Sequence, residues 1–204
     1  LSYLVGESTP VYGDTPKPEI KPRNSISKGA SSNTFDISLN NHSGTHVDAP
    51  AHFVQNGKKI TDYRAADLVF SKVVMIDIPK KAGEWVEESD LHFQGKSADG
   101  LRNKIDCDCL LIRTGFHAFR SKPIYKENNP GISPEAMAWL RSNLPNLRCI
   151  GIDSLSVSSF SNRQRGRQAH ATAFEQRAGF SQPLLLLEDM DLSRLWPKSK
   201  VVRI

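Results

Sequence analysis

No stretch of this chain approaches the ~18 consecutive apolar residues that cross a bilayer, so none of it reads as a membrane helix. Cysteine is scarce. Cys107, Cys109 and Cys149 are an odd number without C-x-x-C spacing, which excludes a disulfide scaffold and fits reduced thiols in a cytoplasmic protein. Cys107 and Cys109 share one face of an expected strand and read as small buried hydrophobes. There is no short-period repeat, and aromatic residues are not interleaved with basic ones as they are where bases are stacked. The 27 Lys and Arg are scattered among 22 Asp and Glu, giving a formal net charge of +5 and a pI near 9.2. Mild basicity of this kind draws small anions rather than nucleic acid. The expected partner is a small-molecule substrate, with neither nucleic acid nor membrane. The chain starts at Leu1 rather than Met, as it would if an upstream segment had been removed.

What the chain has is a concentration of histidine. Asn41 to Phe53 holds three of its six histidines and one aspartate, His42, His46, Asp48 and His52, all at even offsets. In any extended conformation these four point to one side. A helix would also join His42 and His46 at i, i+4, but Gly44, Thr45, Val47 and Pro50 make a poor helix there. A straight strand would spread residues 42 to 48 over roughly 20 Å at ~3.3 Å per residue, while ligands of one ion lie within ~2.0–2.2 Å of it. The segment must therefore curl. Gly44, on the ligand side, leaves room for an ion and permits the necessary backbone angles. His42, His46 and Asp48 neutralise only part of a divalent charge, leaving an ion able to polarise a carbonyl or acidify water. His52 is then the spare group, placed to carry a proton.

Around this motif the pattern is that of a mixed α/β domain spanning residues 1–204. Residues 1–35, with four prolines and a serine-rich piece, read as an extended arm holding one or two short strands and lying across the core or a partner subunit. Thr34 to Leu39 alternates apolar and polar residues and is expected to be a strand that delivers the ligands. A helical turn is expected over Thr61 to Leu68, strands over Ser71 to Ile78, Asp106 to Arg113 and Cys149 to Ile152, and less regular structure over Glu84 to Phe93. His92 reads as a surface histidine. Ser133-Pro134-Glu135 opens a helix that Pro145 stops. Leu184 to Glu188 is an apolar run closed by a carboxylate, so Glu188 emerges from a buried strand at a site, with Asp189 as the competing acid. Arg163, Arg165 and Arg167 alternate, either as a solvated basic edge or as a source of a guanidinium fork that holds a substrate carboxylate, with Arg163 the candidate.

The run His42-Ser43-Gly44-Thr45-His46-Val47-Asp48-Ala49-Pro50-Ala51-His52-Phe53 resembles the motif of the cyclase family of metal-dependent hydrolases, which includes bacterial kynurenine formamidase and isatin hydrolase. Thr9 to Tyr12, Leu111 to Gly115, Ile150 to Ser156 and Pro183 to Leu192 extend the likeness. The resemblance implies a swivelling β/β/α-type single domain, assembled as a homodimer or homotetramer. It implies one or two divalent ions, Zn or Mn, held by His42, His46, Asp48, His170 and Glu188 with Asp48 bridging, and His52 as the catalytic proton carrier. Tyr12, Phe53, Thr114 and Arg163 become candidate substrate contacts. The implied reaction is hydrolysis of a C–N bond in an amide, formamide or cyclic amide, as in the kynurenine branch of tryptophan catabolism. A lyase or cyclase acting on a carbonyl substrate, or a non-catalytic metal-binding protein, would use the same ligands. Residues 171 to 182 make the His170 to Glu188 spacing longer than in the compact formamidases.

Overall fold

The computed structural model describes residues 1–92 and 106–194; Phe93, the last residue of the irregular stretch, lies outside them. Strands β1 (Glu19–Asn24) and β2 (Thr34–Ser38) pair antiparallel as a separate hairpin. The chain continues through β3 (His46–Asp48), β4 (Val73–Asp77), the short β5 (Trp85–Val86) and helix α1 (Glu88–His92). Next come β6 (Cys109–Arg113), α2 (Ile124–Glu127), β7 (Gly131–Ile132) and α3 (Pro134–Asn143). Last are β8 (Cys149–Ile152), α4 (Arg163–Phe174) and β9 (Leu185–Glu188). The expected turn over Thr61 to Leu68 is a pair of 3-10 turns, Ile60–Asp62 and Ala65–Leu68.

The central sheet has the order β3-β9-β8-β6-β4, with β9, β8, β6 and β4 parallel and β3 antiparallel at one edge. Cys-Leu-Leu-Ile, Cys-Ile-Gly-Ile and Leu-Leu-Leu are continuous apolar runs because parallel strands of this kind are covered on both faces. Side chains alternate between two cores. Leu110, Ile112, Ile150, Ile152 and Leu186 pack with Met137, Leu140, Ala173 and Phe174 of α3 and α4. Val73, Cys109, Leu111, Cys149 and Leu185 pack with Phe70 and Met190 on the opposite face. Each fully buried Leu or Ile contributes about 1.5–3 kcal/mol relative to exposure. Helix α3 starts as its sequence dictates: Ser133 Oγ accepts the Ala136 N–H at 3.0 Å and Pro134 occupies the first turn. Such a cap is worth about 1 kcal/mol.

One expectation is corrected. The alternating segment from Thr34 does form a strand, yet it lies outside the central sheet and delivers no ligand. Alternation shows that a segment is extended, without showing which strand it pairs with; here the partner is β1, and Phe35 and Ile37 stay 56% and 62% exposed. The strand that carries the motif is β3. Residues 1–18 contain neither strand nor helix and run beside the motif: Tyr3 N–H donates to Thr45 Oγ1, Asp191 N–H donates to the Leu1 carbonyl, and Thr9 and Val11 are buried. No described helix is long and apolar enough to cross a membrane.

Candidate metal centre

In the antiparallel pair β3–β9, His46 stands opposite Glu188 and Asp48 opposite Leu186. Directly opposed side chains share a face, so the register alone brings the His46 imidazole and the Asp48 and Glu188 carboxylates together. The turn before β3 depends on Gly44, whose φ of +73° disfavours any side chain and whose Cβ would stand 3.0 Å from Val5 Cγ2. That turn folds His42 back until Nδ1 is 2.9 Å from Asp48 Oδ1. After β3, the 3-10 turn Pro50–His52 sets His52 Nε2 3.7 Å from Asp48 Oδ2 and its ring 4.2 Å from that of His42. Helix α4 supplies His170, whose Nε2 lies 3.4 Å from Glu188 Oε1 and 3.8 Å from Asp48 Oδ2.

Backbone carbonyls set the tautomers of two of these rings. His46 Nδ1–H donates to the Gly44 carbonyl at 2.8 Å and His170 Nδ1–H to the Gly166 carbonyl at 2.9 Å. A carbonyl only accepts, so both rings carry their proton on Nδ1 and turn Nε2 towards the carboxylates. Glu188 Oε1 is itself held by the Ser156 hydroxyl at 2.9 Å and the Val157 N–H at 2.8 Å. By contrast, both oxygens of Asp48 and Nε2 of His46 are buried without a hydrogen-bond partner, the nearby imidazoles being out of line. Burial depresses the His46 pKa, but Asp48 and Glu188 outweigh it and push it up to about 9. Burial likewise opposes charge on His170, and Glu188 raises it nevertheless. For Asp48 burial works upward, and the His42 and His46 imidazoles hold the carboxyl well below the usual range. His52 goes the other way: burial lowers its pKa against the pull of Asp48.

Two buried carboxylates converge here on imidazole nitrogens, a donor set that fits a divalent ion in place of protons on the rings. Ligand atoms of His46, Asp48 and Glu188 lie within 4.8 Å of one another, as do those of His42, Asp48 and His52. Asp48 belongs to both groups. His52, expected to stand apart as a proton carrier, is therefore as close to Asp48 as the ligands are.

A cavity of about 350 Å³ opens onto these groups. Tyr12, Phe53 and Arg163 line it, and Phe53 stacks on His170 with ring centroids 4.5 Å apart. Thr114 does not line it. It is buried, and its N–H and hydroxyl are both given to Asp153, at 2.7 and 2.6 Å, so it has no donor left for a substrate. Asp189 also points away. With φ at +50° it turns from the histidine–carboxylate cluster to Arg120, at 2.8 and 2.6 Å, and to the Tyr125 hydroxyl at 2.7 Å. His92 is exposed beside Glu88 on α1. Sequence reasoning missed Asn40, Ser156 and Ser158 in the cavity wall and named Arg167 only as one of three alternating arginines. Arg167 had a signal, its i, i+4 relation to Arg163 once the segment is read as a helix. The serines had none, because their place depends on where the loop after β8 passes β9.

A family profile described as "Putative cyclase" matches residues 1–159. A kynurenine formamidase of Geobacillus thermodenitrificans is 31% identical over 167 residues, covering 80% of this chain and 71% of that protein. Among solved structures, isatin hydrolase A from Labrenzia aggregata superposes with a TM-score of 0.77 at 21% identity, over 97% of this chain and 82% of its own. A predicted metal-dependent hydrolase from Bacillus stearothermophilus gives 0.68 at 20% identity, over 95% and 82%. At these identities the structures share the fold with this chain.

Proposed function

Because the chain belongs to the cyclase family, we propose that it is a metal-dependent hydrolase that breaks the C–N bond of an amide, formamide or cyclic amide. The observation that carries this reading is the buried Asp48 carboxylate, without a hydrogen-bond donor, faced by imidazoles whose Nδ1–H groups are tied to backbone. Zn or Mn suits such a set; His46, Asp48 and Glu188 would hold one ion, and His42 and His170 would complete that site or share a second through Asp48. When bound, the ion supplies Lewis acidity for the carbonyl and for water. The chain's own groups do the rest. His52, in the cavity wall and partly exposed, takes a proton from the attacking water and returns it to the leaving nitrogen. Phe53 and Tyr12 wall the substrate, and Ser156 fixes Glu188.

The name of the Geobacillus relative makes N-formylkynurenine the first substrate to assay, and that of the Labrenzia structure makes isatin the second. We also read the chain as a homodimer or homotetramer, since a two-stranded hairpin is marginal alone and this one exposes Phe35 and Ile37. Three free, buried cysteines suit a reducing cytoplasm.

The test is elemental analysis of protein purified without chelators, beside amide-cleavage assays on wild type and His52→Ala. Expected are one or two Zn or Mn per chain, cleavage by wild type, and a variant that keeps its ions while turnover falls by at least the ~10²-fold typical of a lost general base. A variant that loses an ion makes His52 a ligand instead. Protein that takes up no ion even when Zn or Mn is added overturns the reading.

A further inference from the structure

We propose that the substrate is an anion, an amide carrying a carboxylate and no ammonium group, held by Arg163 and Arg167. The inference takes the bond that is broken from the hydrolase reading above and the rest from the charge of the cavity. Arg163, Arg167 and His170 occupy i, i+4 and i+7 of α4 and so share one face of the helix. His170 stands at the ion site. At ~1.5 Å per residue, Arg167 lies roughly 4.5 Å and Arg163 roughly 10 Å from it along the helix axis. All three line the cavity, in the order expected of a binding wall that leads outward from the reacting centre.

The intervening Arg165 shows what a committed arginine looks like on this helix. It faces the other way, donating to both oxygens of Glu87 at 2.8 Å and to Glu135 at 3.0 Å. Among the described residues, no carboxylate pairs with Arg163 or Arg167. The Arg163 guanidinium rests over the rings of Phe160 and Tyr12, at 5.3 and 5.9 Å, contacts that hold its plane while leaving the N–H fork open. A fork of this kind matches a carboxylate.

An amino-acid head group fits poorly. Glu188 is the one acidic residue among the described residues lining the cavity, and its Oε1 is already bound by Ser156 and Val157. An ammonium would face two guanidiniums with no carboxylate of its own. Tyr12, beside Arg163, and Phe53, stacked on His170, line the same cavity with Leu155 and offer apolar surface to a ring, and about 350 Å³ suits a compact, single-ring molecule.

The probes are formanilide, 3- and 4-formamidobenzoate and N-formylkynurenine, assayed as kcat/KM on ion-loaded wild type, R163Q/R167Q and R165Q. A formamidobenzoate is expected to exceed formanilide by about tenfold or more, the discrimination a charge-assisted bidentate pair can give. That ratio should fall towards one in R163Q/R167Q and persist in R165Q. Calorimetric titration of ion-stripped protein with benzene-1,3-dicarboxylate supplies a readout free of turnover, with binding to wild type and none to R163Q/R167Q. Equal kcat/KM for formanilide and both formamidobenzoates overturns the anion subsite while leaving the hydrolase intact. So does a preference for N-formylkynurenine that survives the double substitution. Dicarboxylate binding that the double substitution abolishes, in a protein that cleaves no amide, retains the subsite and overturns the hydrolase reading.

Discussion

At Gly166 a Cβ would stand 1.8 Å from Ser158 Oγ, so this glycine lets α4 press against the loop that steadies Glu188. Its carbonyl also anchors His170 Nδ1. Gly166→Ala is therefore expected to push the helix outward and swing His170 from the carboxylates. Ion affinity should drop by about 10–100-fold, the usual cost of losing a group that orients a ligand, with the far-ultraviolet circular dichroism unchanged. Competition with a chromogenic chelator measures it; unaltered affinity would mean His170 does not contribute. The residues of this site were unevenly legible. His42, His46, Asp48 and His52 stood out because they are close in sequence, where even spacing alone implies a shared side. Glu188 was readable from the apolar run before it. Ser156 was not, since it matters through Glu188 far along the chain; Gly166 and Arg167 emerge only once the segment is known to be a helix packed on the Ser158 loop; and Thr114 misled because a polar residue following a strand does not reveal that Asp153 claims it.

Elements were legible to the extent that they are local. Helix α3 carries its own start and stop, Ser133 and Pro145, and β8 and β9 declare themselves by continuous apolar residues. The β1–β2 hairpin shows the limit. Its alternation is real, yet its partner is a strand ten residues back, so the element is right and its location is not. Oligomerisation through this hairpin predicts that F35K/I37K lowers the molar mass measured by light scattering to that of one chain of 22.7 kDa. An unchanged mass would place any interface elsewhere.

For the molecule as a whole, Asp153 is a fixed point between β8 and the loop after β6. Fully buried, it accepts from Thr114, from the Gly115 N–H at 2.9 Å and from His117 Nδ1 at 2.7 Å. This carboxylate raises the His117 pKa above its ordinary 6.5, against the opposing pull of burial. A raised folded value means that the stability from protonated His117 is complete below about 6.5 and is lost as pH climbs through the higher folded value. Urea midpoints for wild type and His117→Gln, taken in chelator, should thus differ most near pH 6 and converge as pH rises past the folded value. A difference independent of pH would assign His117 a packing role only. The parallel order of β4, β6, β8 and β9 was beyond the sequence pattern, because apolar runs specify burial and leave the neighbours open. That order has a consequence in time. The last described strand, β9, sits between β3 and β8, and it brings Glu188 with it. A chain stopped short of residue 185 leaves β3 unpaired and His46 without the Glu188 carboxylate opposite it. Closing the sheet and bringing Glu188 opposite His46 are therefore one event, and the cluster gains its second carboxylate only when β9 takes its place.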